Sequence, residues 1–465
     1  MVIPRIVFSA LRGGSGKTVI SVGVLAAWRK QGRAVIPFKK GPDYIDAGWL
    51  TIAAGRPCRN LDTFMVEPAL VRAAFCRNAR EGATSLIEGN RGLFDGMDTE
   101  GATSTAELAK LLTAPVILIA DCTKATRTVA AMILGCSHFD PDVDIRGVIL
   151  NRVSGSRHEM NVRANIERHV GIPVLGAIPK LTDDDFPERH MGLVPAPEHD
   201  WAAAAVERAA KLAEKHLDLE RLHQIAETPL LARIPIPHGA EAPAAGPRFS
   251  GRSPRIGVVR DSAFQFYYPE NIEALACAGA EVIEVSLLPG SVLPDLDGLY
   301  IGGGFPETHA RALSENAAAR ERVRRWAGEG LPIYAECGGL MYLSREIVLD
   351  GVAFPMAGVV PAAIGISPRP VGHGYTLVKV TGENPFHPVG AELRGHEFHY
   401  SKVISWDGSP GDLVFSMTRG KGMVDGRDGF AAKNVLATYT HVHALGAPNW
   451  AASFVKQAIK RAESA

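Results

Sequence analysis

Short apolar runs alternate with helix-like stretches through residues 5–180, and this rhythm restricts the chain to a mostly parallel, doubly wound α/β sheet. Arg5–Ala10, 34–38, Thr84–Glu88, 115–120, 146–150 and 174–178 read as strands, with helices such as Lys17–Lys30 and Thr105–Leu112 between them. Lys39, Glu88, Asp121 and Asn151 close or follow these runs. Ligands of such sheets bind at the carboxyl ends of strands, which makes the four residues site candidates by position alone. A helical stretch over 201–227 follows, then 235–254, whose Pro, Gly, Ala and Ser content reads as a linker. Alternation resumes with strands 256–259, Glu281–Val285, Gly298–Ile301, 332–335 and 435–440. The expectation is two α/β domains, 1–198 and 255–465, joined by a helical segment and linker over 199–254. A length of 465 residues agrees, being more than one hydrophobic core usually organises.

Lys+Arg and Asp+Glu both number 50, so the formal net charge is zero. That argues against a general nucleic-acid or anionic-membrane binder, which needs excess basic charge. No segment offers the roughly 18 uninterrupted apolar residues of a transmembrane helix. The six cysteines (58, 76, 122, 136, 277 and 337) include no C-x-x-C pair and are too sparse for a disulfide scaffold. A reducing cytoplasm is the compartment this usage implies.

Arg12-Gly13-Gly14-Ser15-Gly16-Lys17-Thr18 joins the first strand to the first helix. Glycines there let backbone N–H groups turn onto phosphate oxygens at a helix N-terminus. Lys17 is placed to bridge the outer phosphates of ATP and Thr18 to ligate Mg²⁺. The strict pattern wants glycine at position 11, where Leu11 stands, so the loop is a variant. Its form resembles the deviant phosphate loops of the dethiobiotin-synthetase and partition-ATPase superfamily, in which partition ATPases carry a signature lysine at the position of Arg12.

Two acidic loops follow later strands: Lys39-Lys40-Gly41-Pro42-Asp43-Tyr44-Ile45-Asp46 and Glu88-Gly89-Asn90-Arg91-Gly92-Leu93-Phe94-Asp95-Gly96. Asp43 and Glu88 are read as the Mg²⁺-side carboxylates, since that ion takes oxygen ligands and few of them from protein. Asp46 and Asp95 lie further along, within reach of a substrate. Asp43 and Asp46 also suit a helix-capping role.

Pro332-Ile333-Tyr334-Ala335-Glu336-Cys337-Gly338-Gly339 places a cysteine at a strand-to-helix turn flanked by glycines. Such an elbow exposes the sulfur, and the helix N-terminus behind it favours a thiolate. Upstream, Gly302-Gly303-Gly304 closes another strand, and the N–H groups of Gly303, Gly304 and Gly338 are candidates for an oxyanion site. Tyr439-Thr440-His441-Val442-His443 supplies the base, with both histidines on one face by strand alternation. A single cysteine with a distant histidine is the usual thiol-nucleophile arrangement.

Taken together, G-S-G-K-T, F-K-K-G-P-D-Y-I-D, E-G-N-R-G-L-F-D-G, G-G-G-F-P-E, Y-A-E-C-G-G-L-M-Y-L and R-G-H-E-F-H-Y-S resemble the cobyrinic acid a,c-diamide synthases, from about Arg5 to about Val455. The resemblance implies a dethiobiotin-synthetase-like phosphate-loop domain fused to a class I-like glutaminase. It implies an ATP-phosphorylated tetrapyrrole carboxylate, ammonia made from glutamine at Cys337, and displacement of phosphate to give the amide. By the same resemblance Lys17 and Thr18 bind ATP-Mg²⁺, Asn151 recognises adenine, and Asp43, Asp46, Glu88 and Asp95 serve metal and substrate activation. The glutaminase base aligns with His441, and His443 stands where those enzymes often carry an acidic triad member. Lys40 departs from the apolar residue of many corrin-specific members, and near the mouth of the site it suits sirohaem or nickel-sirohydrochlorin equally, so an amidase for those rings is the alternative within the family. A partition-like ATPase switch with a degenerate glutaminase module is the alternative from another class; dethiobiotin synthetase leaves 255–465 unexplained. The implied partners are the tetrapyrrole acid, ATP and glutamine, a homodimer being compatible, and neutral ammonia implies a sheltered path between domains.

Overall fold

The computed structural model describes residues 3–80, 82–181, 201–228 and 252–464. The chain divides into two compact units, Met1–Thr63 with Glu67–Ala240, and Phe64–Val66 with Glu241–Ala465. Most of the expected linker, 235–251, lies outside the described residues, as does the end of the expected first domain, 182–198.

In the first unit seven strands form one parallel sheet: β1 (Arg5–Ala10), β2 (Val35–Lys40), β3 (Arg59–Leu61), β4 (Thr84–Glu88), β5 (Val116–Asp121), β6 (Ile145–Val153) and β7 (Val174–Pro179). Their order is β3-β2-β4-β1-β5-β6-β7. β1, β2, β4 and β5 are buried at every residue, as a sheet covered on both faces requires, and they read as apolar runs for that reason. β3 adds to the expected set; three residues are too few to show a period.

Helix α1 (Lys17–Lys30) follows β1 and packs on the helix Ala202–His216. The latter buries Ala202, Ala205, Val206, Ala209, Ala210 and Ala213, a 3.6-residue stripe of mainly small side chains. Close approach is possible because α1 carries Gly23 at the crossing, where a Cβ would stand 2.5 Å from the Ala209 carbonyl oxygen. Helix α2 (Tyr44–Ala54) starts at Asp43, whose side chain accepts the Asp46 N–H, and stops at Gly55 with φ 65°.

The second unit contains a ten-stranded mixed sheet. Glu281–Val285, Arg255–Val259, Gly298–Ile301, Ile333–Glu336 and Val435–Thr438 run parallel in that order. Arg427–Ala432, Leu413–Arg419, Gly372–Val380, Glu392–His399 and His441–Val442 continue it antiparallel. Side chains alternate between two apolar clusters, Leu299, Ile301, Ile333 and Ala335 in one, Tyr300, Tyr334 and Leu436 in the other. A four-stranded sheet, Val352–Pro355, Ser344–Leu349, Val360–Ile366 and Ser401–Trp406, stands beside it. None of the strands between 344 and 432 was expected from the sequence.

The strand expected over 435–440 is two strands. It breaks after Thr438 because the buried Asp428 carboxylate accepts the Thr438 hydroxyl and the N–H groups of Tyr439 and Thr440. Those donors are lost to the ladder, and His441–Val442 re-pairs against Gly395 and His396 instead. No helix among the described residues is long and apolar enough to cross a membrane.

Candidate functional sites

β1 ends in the glycine loop, and the turn needs glycine at two places: Gly14 has φ 71° and Gly16, the residue before α1, has φ 83°. The loop borders a cavity of about 550 Å³ lined by Gly13 to Thr18, Lys39, Asp43, Asp46, Asn90, Arg91, Asn151 and Arg152. Lys17 Nζ donates to the Arg91 carbonyl oxygen at 2.7 Å. Burial, then the charge of Lys39, pushes the Lys17 ammonium down to about 8, against the pull of Glu88, Asp46 and Asp95.

Beneath the loop Lys39, 1% exposed, lies between two carboxylates, 2.6 Å from Asp46 Oδ2 and 2.7 Å from Glu88 Oε1. Burial opposes its charge, but Asp46 and Glu88 outweigh that and hold its proton more tightly than usual. The Thr18 hydroxyl is 3.1 Å from both Asp46 Oδ1 and Glu88 Oε1. Burial pushes Asp46 up, yet the Lys39 charge and hydrogen bonds overcome it and hold Asp46 below the carboxylate range. Glu88 is raised by burial, only partly offset by Lys39. Asp43 is pushed up to about 7 by burial and then by Asp46.

Thr18, Asp46 and Glu88 thus meet at one point, while Asp43, read from sequence on the metal side, caps α2 with Oδ1 on the Asp46 N–H at 2.9 Å. Asp95 is exposed and closes its own loop, accepting the Gly92 N–H at 2.8 Å. The amide of Asn151 donates to the Ser15 carbonyl at 2.9 Å and so braces the phosphate loop. Lys40, expected near the mouth, is 5% exposed. Sequence reasoning did not single out Arg152, which with Arg12 donates to Asp121 Oδ2, each at 2.9 Å. Burial works against the Asp121 charge, but hydrogen bonds from Thr123, Arg12 and Arg152 hold its carboxyl down to about 2.

In the second unit Cys337 sits between the strand Ile333–Glu336 and the helix Gly338–Leu343 with φ 49° and ψ −97°, a left-handed turn that a side chain seldom adopts. The expected elbow is there, but the expected thiolate bias is not. Burial, then the charges of Glu307, Glu336 and Glu397, pushes the thiol well above its usual value, against one hydrogen bond from the Gly338 N–H. Glu307 is itself pushed up to about 7 by burial.

Gly303, Gly304 and Gly338 pack together around the elbow: a Cβ on Gly338 would lie 3.0 Å from Gly304 N, and one on Gly304 2.1 Å from the Ala263 oxygen. His441 packs on the same loop, since a Cβ on Gly303 would lie 2.7 Å from its Cε1. The other side of that ring meets Glu336, with Nδ1 3.3 Å from Oε2. The two histidines do not share a partner: His443 Nδ1 accepts the Leu445 N–H at 3.2 Å and its Nε2 is 3.6 Å from Glu270 Oε2. Glu336, adjacent to the nucleophile in sequence, escaped notice because strand alternation says nothing about contacts across a sheet edge.

Residues 6–194 match the family described as a CobQ/CobB/MinD/ParA nucleotide binding domain, and residues 255–449 the CobB/CobQ-like glutamine amidotransferase domain. The cobyrinate a,c-diamide synthase of Magnetococcus marinus is 46% identical over 97% of this chain and 96% of its own. That of Methanothermobacter thermautotrophicus is 40% identical over 98% and 99%, and that of Archaeoglobus fulgidus 38% over 99% of each. The chain belongs to the cobyrinate a,c-diamide synthase family.

Proposed function

We propose that the protein is an ATP- and glutamine-dependent ligase that converts the a and c side-chain carboxylates of cobyrinate to amides. What carries the reading is one chain holding both a phosphate loop over the Thr18–Asp46–Glu88 cluster and a Cys337 elbow packed with glycines and His441. A carboxylate does not yield to ammonia, because oxide is the leaving group. Transfer of the ATP γ-phosphoryl group to the carboxylate oxygen replaces oxide with phosphate, and Lys17 faces the charge that this transfer spreads over the phosphoryl oxygens. In the glutaminase, His441 takes the Cys337 proton as sulfur attacks the glutamine amide carbon. The Gly303–Gly304 and Gly338 N–H groups face the oxyanion, ammonia leaves, and water hydrolyses the thioester to glutamate. Ammonia then attacks the acyl carbon and phosphate departs.

The residues also fit Mg²⁺. Glu88 Oε2 is buried without a hydrogen-bond partner, and the other oxygen of that carboxylate, Oε1, shares the Thr18 hydroxyl with Asp46 Oδ1, each at 3.1 Å, a hard oxygen set. Among the described residues no group of three or more His, Cys, Asp or Glu forms a metal cage. Thr18, Asp46 and Glu88 would hold it, with Asp43 behind them. When bound, it neutralises phosphate charge during transfer.

The reading is tested by mass spectrometry after incubation with ATP, Mg²⁺, glutamine and each of cobyrinate, sirohaem and sirohydrochlorin. Two successive losses of about one mass unit, OH replaced by NH₂, are expected with cobyrinate. Conversion of another ring with cobyrinate untouched overturns the substrate.

Two further outcomes follow from the geometry. Lys17 loses its charge as pH rises through about 8, so ATP affinity should weaken above that pH, by at most tenfold per unit. Titration of ATP from pH 7 to 9.5 measures it, and an affinity flat across pH 8 contradicts the assignment. His441→Ala should cost about 10²–10⁴-fold in glutamine hydrolysis, and His443→Ala markedly less. Rates measured side by side, with ammonia-dependent amidation as the folding control, decide it; the reverse ranking makes His443 the base.

A further inference from the structure

We propose that Glu336 is the positioning carboxylate of the glutaminase histidine, the part that sequence order leaves vacant when residue 443 is a histidine. The inference rests on the reading of Cys337 as nucleophile and His441 as base. Glu336 is fully buried at the end of its strand. Its Oε2 lies 3.3 Å from His441 Nδ1 and accepts the Tyr300 hydroxyl at 3.0 Å, while Oε1 accepts the Val442 N–H at 3.2 Å. One carboxylate therefore holds the histidine ring, the backbone next to it and a tyrosine that fixes its own rotamer.

A carboxylate can only accept here, so the shared proton sits on Nδ1 and the lone pair that can take a proton lies on Nε2. That edge of the ring faces the glycine loop: a Cβ on Gly303 would be 2.7 Å from Cε1 and 3.2 Å from Nε2. His396 stacks on the ring at 4.9 Å and 19°, so the imidazole is confined both in its plane and across it. His443 is held by other groups. Its Nδ1 is occupied by the Leu445 N–H, which puts its proton on Nε2, toward Glu270.

An amide in place of Glu336 offers N–H as readily as C=O to His441. The tautomer with the proton on Nε2 then becomes accessible, and it cannot take a proton from Cys337. Glu336→Gln should lower kcat for glutamine hydrolysis by about 10²–10⁴-fold with KM for glutamine within a few-fold, since nothing in contact with glutamine is removed. Glu336→Asp keeps the charge at shorter reach and should retain more kcat than Glu336→Gln. Both are assayed for glutamine hydrolysis, with ammonia-dependent amidation reporting the fold. A Glu336→Gln kcat within about threefold of wild type, or an amide variant at least as active as the aspartate, overturns the proposal. The Asp-against-Gln ranking decides even if both variants lose stability. Cys337→Ser is run alongside: if it still hydrolyses glutamine the underlying reading falls, whereas if only Glu336→Gln does, the positioning role alone falls.

Discussion

Cys337→Ser should reduce glutamine-dependent amidation by more than about 10³-fold while ammonia-dependent amidation stays largely intact. The sulfur is buried at the elbow, and burial with three nearby carboxylates holds its proton on. A serine hydroxyl in the same place is a weaker acid still, so His441 has a harder proton to remove and a poorer nucleophile to deliver. Ammonia added from solution needs neither the thiol nor the histidine, and the phosphate loop belongs to the other unit. Measuring synthesis with each nitrogen donor separates the two halves in a single variant. Loss of both activities would show the elbow to be structural. Retention of both would show that glutamine is cleaved elsewhere.

Much of this site was legible because each half is written in local chemistry. The glycines at 14 and 16, the lysine and threonine after them, and the glycine-flanked cysteine are short-range signals whose geometry follows from neighbouring residues. The parallel strands were legible for a related reason. Buried on both faces, β1, β4 and β5 are simple apolar runs.

What was illegible depends on residues far apart in the chain. Lys39 lies between Asp46 and Glu88, but no spacing rule says that a lysine at position 39 meets a glutamate at 88 across a parallel pair. Asp43 and Asp46 could be listed from sequence and not ranked. One backbone N–H, that of Asp46 on Asp43, turns the first into a helix cap and sends the second to Thr18. The two histidines illustrate the limit most plainly. Alternation put both on one face, but the strand His441–Val442 ends before His443, and each histidine meets its own carboxylate, Glu336 for His441 and Glu270 for His443. The strands from 344 to 432 were missed because many are half exposed and interrupted by turns, so neither a continuous apolar run nor a clean period marks them.

Lys17→Ala should abolish amidation from either nitrogen donor, because the acyl phosphate on which both routes converge would not form. Lys17 is 8% exposed in the wall of the cavity that the phosphate loop borders, with its ammonium on the Arg91 carbonyl oxygen. Its loss also removes a positive charge that favours the ionised form of Glu88. Lys39 does not substitute, since Asp46 and Glu88 already engage it at 2.6 and 2.7 Å. A fall of about 10³-fold or more corresponds to roughly 4 kcal/mol of lost transition-state stabilisation, of the size expected for a charged group acting in a dry site. Glutamine hydrolysis should persist at its basal rate, because Cys337, His441 and Glu336 lie in the other unit. Amide formed at near wild-type rate from either donor would remove Lys17 from the phosphoryl-transfer step. Loss of glutamine hydrolysis as well, in a folded variant, would show that glutamine cleavage requires the activated carboxylate.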